Sequence, residues 1–318
     1  QSEGLPARGA LSVCEDPAGT IWIGTGGGGL IRLQDENVRW FQVGNHVAAN
    51  FVFSIFPRSD GGVWLSAAEG EDLYAFRNDQ IQRAPWEVHG VKSILSDRAG
   101  RVWMGTKSGL SWWTLVDRRV FGTNEGVALS AVRALAEAPD GAIWAGGDFG
   151  SLYRCEPDRV QSFRPDDPLA DQPIWSILVD NNSTVWCGTF RGGLLRFKNG
   201  KFSRITHKQG LPADAISQLL EDDHGRIWMG TPQGICSISK KALEDCADGK
   251  LSRVDSITYG RLDGLPTLEC SDGYQPSCWK SRDGRLWFTT VKGAVFIDPN
   301  QIRTNAVPVP VLIEELWV

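Results

Sequence analysis

Residues 221–238 read EDDHGRIWMGTPQGICSI, and nearly the same phrase returns along the whole chain. It divides into an acidic turn, an apolar run around Trp228, a Pro-Gln-Gly turn and a second apolar run. Asp and Asn bond to nearby backbone in tight turns, and Gly tolerates the positive φ that hairpins need. The phrase therefore predicts neighbouring antiparallel strands. Aligned on the tryptophan, seven copies appear: EDPAGTIWIGT, RSDGGVWLSA, SDRAGRVWMGT, APDGAIWAGG, VDNNSTVWCGT, EDDHGRIWMGT and SRDGRLWFTT.

The anchors are Trp22, Trp64, Trp103, Trp144, Trp186, Trp228 and Trp287, spaced by 42, 39, 41, 42, 42 and 59 residues. In the sixth copy AISQLLE precedes the acidic turn as a first strand, RIWMGT is a second and ICSISK a third. Short aromatic phrases such as VRWFQV and KFSRIT supply an outer fourth strand in other copies. Four strand phrases every ~40 residues are the signature of a propeller blade. The predicted fold is all-β: a seven-bladed β-propeller of four-stranded antiparallel blades over residues 1–303. Residues 304–318 form a tail that closes blade seven or begins a separate β module. The 59-residue step contains KKALEDCADG, read as a short helix ended by Gly249.

Composition agrees with a soluble globular protein: 42% hydrophobic and 22% charged residues, with 14 Trp and 36 Gly but 2 Met. A net charge of −5 without any Lys/Arg block argues against a nucleic-acid partner. There is no run of about 18 apolar residues and no basic-then-apolar leader. The abrupt ends, QSEGLPARGA and VPVLIEELWV, suggest a segment of a longer or processed protein.

The repeated tryptophan reads as a core residue that fills the wedge between two twisted sheets. The DxxG turns lack the alternating oxygen ligands of a calcium loop and read as turn chemistry. Seven cysteines leave at least one thiol unpaired in a monomer. Cys14 and Cys187 sit in apolar strand phrases as small buried hydrophobes. Cys270 and Cys278 flank ECSDGYQPSC and would pair if that loop folded back in an oxidising compartment.

These phrases resemble the two-component regulator propeller repeat, through GLP at Leu5-Pro6, Leu211-Pro212 and Leu265-Pro266 and GGL at Gly29-Leu30 and Gly193-Leu194. The resemblance implies the periplasmic or extracellular sensor region of a hybrid histidine kinase, on the outer side of a bacterial inner membrane. It further implies a carbohydrate-type ligand and adjacent β-sandwich or kinase modules. PVPVLIEELWV looks like the opening strand of such a sandwich.

In a blade the first strand lines the channel, and its entering loop shares one face with the turn between strands two and three. Eleven positions before each anchor lie Leu11, Phe53, Lys92, Arg133, Trp175, Ser217 and Pro276. Lys92 and Arg133 suit a carboxylate, sulfate or uronate, Arg in bidentate fashion. Trp175 suits the apolar face of a sugar. Phe149 and Arg191 occupy the second set of loops on that face, and Tyr274 belongs to a long blade-seven loop over the mouth. The expected ligand contacts are Lys92, Arg133, Trp175, Phe149, Arg191 and Tyr274. The expected function is sensing a small molecule or oligosaccharide without catalysis or cofactor, with a second protomer as a candidate partner.

Two alternatives stand beside it. A polysaccharide-active enzyme, sialidase- or lyase-like, would show a close carboxylate pair at the mouth, or, in the sialidase manner, an arginine cluster with a Tyr/Glu pair; Glu269 and Asp272 lie beside Tyr274. A protein-interaction scaffold would show an apolar rim. Metal chemistry finds no pattern in His46, His89, His207 and His224, and GTGGGGL at 24–30 lacks the ending of a phosphate loop.

Overall fold

The computed structural model of the chain describes residues 9–302 apart from 36, 68–71, 129 and 168–170. The tail expected at 304–318 lies outside the described residues. Seven antiparallel sheets succeed one another, each in sequence order from channel to rim. Blade six shows the plan: Gln218–Glu221, Arg226–Thr231, Gly234–Ser239 and Ile257–Tyr259. Six blades have four strands. Blade seven has three among the described residues: Cys278–Lys280, Leu286–Thr290 and Gly293–Ile297.

All seven anchor tryptophans are buried, and each packs on the blade that follows. Trp22 meets Phe76 of blade two with ring centroids 4.7 Å apart, and Trp144 meets Phe197 of blade five at 5.5 Å. Trp228 packs with Leu286 and Phe288 of blade seven, and Trp287 with Val13 and Ile21 of blade one, which closes the ring. Buried apolar area is thus distributed over seven equivalent seams rather than one central core. Close approach across a seam requires a small residue two positions after the tryptophan. A Cβ on Gly105 would lie 2.4 Å from the Val132 carbonyl oxygen of the next blade, whereas Ser66 at the same position of blade two donates to the Val91 carbonyl at 2.7 Å.

The turn aspartate does more than shape the hairpin. One oxygen of Asp222 accepts the Trp228 indole N–H at 2.7 Å while the other accepts the backbone N–H groups of His224 and Arg226. Asp16 and Asp97 treat Trp22 and Trp103 in the same way. Ser281 substitutes in blade seven, and in blade two Arg58 places its guanidinium 4.1 Å over the Trp64 ring. In blade five Asp180 turns instead to Lys240 Nζ, 3.0 Å away, and the Trp186 indole N–H has no hydrogen-bond partner among the described residues.

Lys240 opens the helix Lys240–Ala247, which ends at Asp248 before Gly249 with φ 74°, as the sequence predicts. Arg196 of blade five grips Asp248 at 2.7 Å. Lys250 first and Arg196 second hold the Asp248 carboxyl at about 2, and Arg159 then Arg154 hold Glu156 at about 2. Both folded-state values lie below the ordinary 3.8 and 4.5, so this contribution is complete above those values and is lost as pH falls toward about 2. Asp248→Asn should therefore flatten the decline of melting temperature between pH 4 and 2, the effect staying small because solvent screens these exposed pairs. An unchanged acid limb in the variant would contradict it.

All seven thiols are free. Cys270 and Cys278 do not pair, because each fills an apolar strand position: Cys270 bridges Thr290 as Ala10 pairs with Thr25, and Cys278 faces Phe288 as Val13 faces Ile23. Burial pushes both thiols up to about 12.

Candidate functional site at the channel mouth

The first strands of blades one to five share a defect. Their register slips once, past Leu11, Phe53, Lys92, Arg133 and Trp175, the positions counted back from the tryptophans. A β-bulge leaves its extra residue outside the regular ladder and re-aims the side chain. Five of the seven positions of the sequence ring are thus bulge residues.

Blade seven departs from the pattern at the same point. Between Cys270 and Ser277 it inserts six residues, Ser271–Pro276, so Pro276 is the last residue of a loop rather than one member of the ring. The loop enters the channel. The Pro276 carbonyl accepts the Val13 N–H at 2.8 Å, and the Gln275 side chain accepts the Leu135 N–H of blade four. The Gln275 carbonyl takes the Ser54 hydroxyl of blade two, and Ser271 donates to the Ala10 carbonyl of blade one. Gln218 of blade six donates to the Ser271 carbonyl at 3.0 Å. First-strand backbone groups that would otherwise face an open channel thereby find partners, and the channel is plugged by the protein itself. Tyr274 stands at the loop tip and stacks on Phe53 at 5.2 Å, with Phe51 a further 5.8 Å from Phe53.

Blades four and five carry a second group of side chains on this face. Arg133 Nε donates to Asp148 at 2.8 Å, and the other Asp148 oxygen accepts the Ala131 N–H at 3.3 Å. Phe149 follows with φ 58° and is 56% exposed. A bulky residue held at positive φ costs roughly 1–3 kcal/mol and marks an over-determined loop. The Gly150 N–H donates to the Gln172 carbonyl and the Phe190 N–H to the Pro173 carbonyl, both at 3.0 Å, so the two turns and the loop before Trp175 form one braced rim. Trp175 lies 4.7 Å from the Phe190 ring, and the Arg191 guanidinium covers that ring at 4.7 Å.

Of the six sequence candidates, Phe149, Trp175 and Arg191 are thus braced on one arc with Arg133 at its inner end. Lys92 occupies the bulge of blade three, and Tyr274 belongs to the plug. Asp148 and Phe190 escaped sequence reasoning, although an acid in the turn after an arginine-bearing bulge and an aromatic beside Arg191 were the available signals.

Acidic groups also reach the mouth. Asp272 is exposed as a residue, yet protein on one side strips hydration from its carboxyl and Glu269 adds negative charge, in that order raising its pKa. Among the described residues no group of three or more His, Cys, Asp or Glu could hold a metal ion, and no helix is long and apolar enough to cross a membrane.

Residues 4–27 and 210–233 match the family described as two component regulator propeller. Those stretches are two-component regulator propeller repeats. The first takes in the first two strands of blade one, with their acidic turn and tryptophan, and the second the first two strands of blade six. Among solved structures the chain resembles the extracellular domain described as part of a hybrid two-component system from B. thetaiotaomicron, at 22% identity and TM-score 0.74, over 93% of this chain and 40% of that one. The chain thus spans about 40% of that protein's length. It also resembles virginiamycin B lyase from Staphylococcus aureus, at 13% identity and TM-score 0.72, over 93% and 96% of the two chains. A bacterial surface component of the type-IX secretion system of Porphyromonas gingivalis follows at 16% identity and TM-score 0.54, over 91% and 46%. At these identities the likeness speaks for the propeller fold. No curated protein matches the chain.

Proposed function

We propose that this propeller is the extracytoplasmic ligand-sensing region of a two-component regulatory system, and that it binds a carbohydrate-type ligand without transforming it. The observation that carries the reading is the braced arc: an aromatic ring pair with a guanidinium on top, beside an exposed phenylalanine held at unfavourable φ and an arginine pinned by an aspartate. Stacking groups and oriented donors on rigid turns suit recognition of a ring-shaped polar ligand. Binding there changes how the rim packs against an adjoining module or a second protomer, and that change is the signal. Repeat identity and the sensor named among the similar structures support the same reading.

The test is a thermal-shift screen of the purified propeller against mono- and oligosaccharides, since a ligand that binds only the folded state raises the melting temperature. For a hit, Trp175→Ala and Arg133→Ala are each expected to weaken affinity by about 10-fold or more, the equivalent of ~1.4 kcal/mol. Unchanged affinity in both variants would overturn the reading. A catalytic alternative rests on Asp272, Glu269 and Tyr274 at the mouth. It wins if the hit is consumed during incubation and Asp272→Asn stops the consumption.

A further inference from the structure

A cleft of about 450 Å³ opens on the outer side of the same arc, between the turn and outer strand of blade five and the segment that leads on to blade six. Phe190 and Arg191 form one side, and Arg204, His207, Lys208 and Asp214 line the rest. Arg204 already pairs with Asp167 at 2.7 Å, and the His207 ring is turned to Asp214. Arg191 and Lys208 are both exposed, and neither forms an ion pair with a described residue. Asp214 also accepts the His207 backbone N–H at 2.7 Å, so a single carboxylate fixes both the backbone and the ring of this histidine. With Nδ1 turned to the carboxylate, Nε2 has no hydrogen-bond partner among the described residues. In the neutral ring whose Nδ1–H donates to Asp214, Nε2 is an acceptor.

We infer that this cleft anchors the anionic end of the ligand, and that the ligand is a hydroxylated ring bearing a carboxylate, sulfate or phosphate. The inference rests on the sensing role proposed above and deepens it. Each lining group selects one part of that chemistry. Arg191 and Lys208 leave two positive charges for an anion, the guanidinium in forked geometry. His207 Nε2 is left to bond a ring hydroxyl, a group that both donates and accepts. Phe190, with Trp175 beside it and the Arg191 guanidinium over it, gives the cleft a partly apolar side for the ring of the ligand. A neutral sugar would leave both cations uncompensated, and a bare inorganic anion would leave that side and the imidazole unused.

The test compares glucose, glucuronate, glucose 6-sulfate, glucose 6-phosphate and inorganic sulfate at matched ionic strength, by calorimetric titration of the whole chain. At least one anionic sugar is expected to bind about 10-fold or more tightly than glucose and than sulfate, and which one does so identifies the anion. Arg191→Gln with Lys208→Gln should reduce that sugar to the level of glucose, and its affinity should fall as NaCl is raised. The exposed substitutions leave the melting temperature unchanged, which controls for folding. Equal affinity for glucose and all three anionic sugars, or no binding of any, overturns the inference, as does binding that survives the double substitution. The two readings part at Lys208, which belongs to the cleft alone, and Arg133, which belongs to the arc alone. If Arg133→Ala weakens binding while Lys208→Gln does not, the arc stands and the cleft falls. If Lys208→Gln weakens it while Arg133→Ala does not, the cleft stands and the arc falls.

Discussion

Trp228→Ala is expected to destabilise the propeller by about 3–5 kcal/mol, the range for emptying a fully buried aromatic site. Trp228 has no solvent exposure, and its ring stacks on Tyr259 at 5.3 Å while packing with Leu286 and Phe288 across the seam to blade seven. Removing it opens a cavity in the seam and also strips Asp222 of its indole donor, leaving a buried carboxylate oxygen short of a partner. Urea unfolding reads the effect as a fall in midpoint. Trp175→Ala, at a half-buried bulge, serves as the comparison and should cost much less. A loss below ~1 kcal/mol for Trp228→Ala would mean that the seams are not what holds the ring together.

The second large effect concerns the plug. Replacing Ser271–Pro276 by a single serine would give blade seven the one-residue bulge of blades one to five. It would also remove the acceptors of the Val13 and Leu135 N–H groups and of the Ser54 hydroxyl, together with the Ser271 bond to Ala10. At ~1 kcal/mol for each ordinary hydrogen bond, partly recovered by water entering the channel, the expected loss is roughly 2–4 kcal/mol. Hydrogen exchange gives the sharper readout: the Val13 and Leu135 amides should exchange faster in the variant while amides on outer strands keep their rates. Unchanged protection at both would show that the plug is dispensable to the channel.

Much of this architecture was written in the repeat. The tryptophan spacing carried blade number and order, and RIWMGT became Arg226–Thr231 without adjustment, because a strand with one face in a seam must repeat its apolar pattern. Counting back from tryptophan found the bulge residues because the hairpin between strands one and two has nearly constant length in blades one to six. The same counting failed at Pro276, where an insertion sits inside the count. The indole–aspartate bond was invisible for a different reason: an Asp in a turn satisfies local backbone in any fold, and only the tertiary structure shows which oxygen is left to reach the next strand. Asp148, Phe190 and the His207–Asp214 pair depend on which turns adjoin in space, and no local pattern carries that.

The bulges also bear on how such a chain can change. In blades one to five a single residue stands outside the ladder at the same place, flanked by a buried apolar residue before it and a small one after it, and in blade seven the same place admits six residues without disturbing Leu286–Thr290 or the packing of Trp287. Each first strand therefore offers a tolerated insertion point that opens onto the recognition face. Specificity can be rewritten there by lengthening or exchanging a short loop, while the tryptophan seams that set stability are inherited intact.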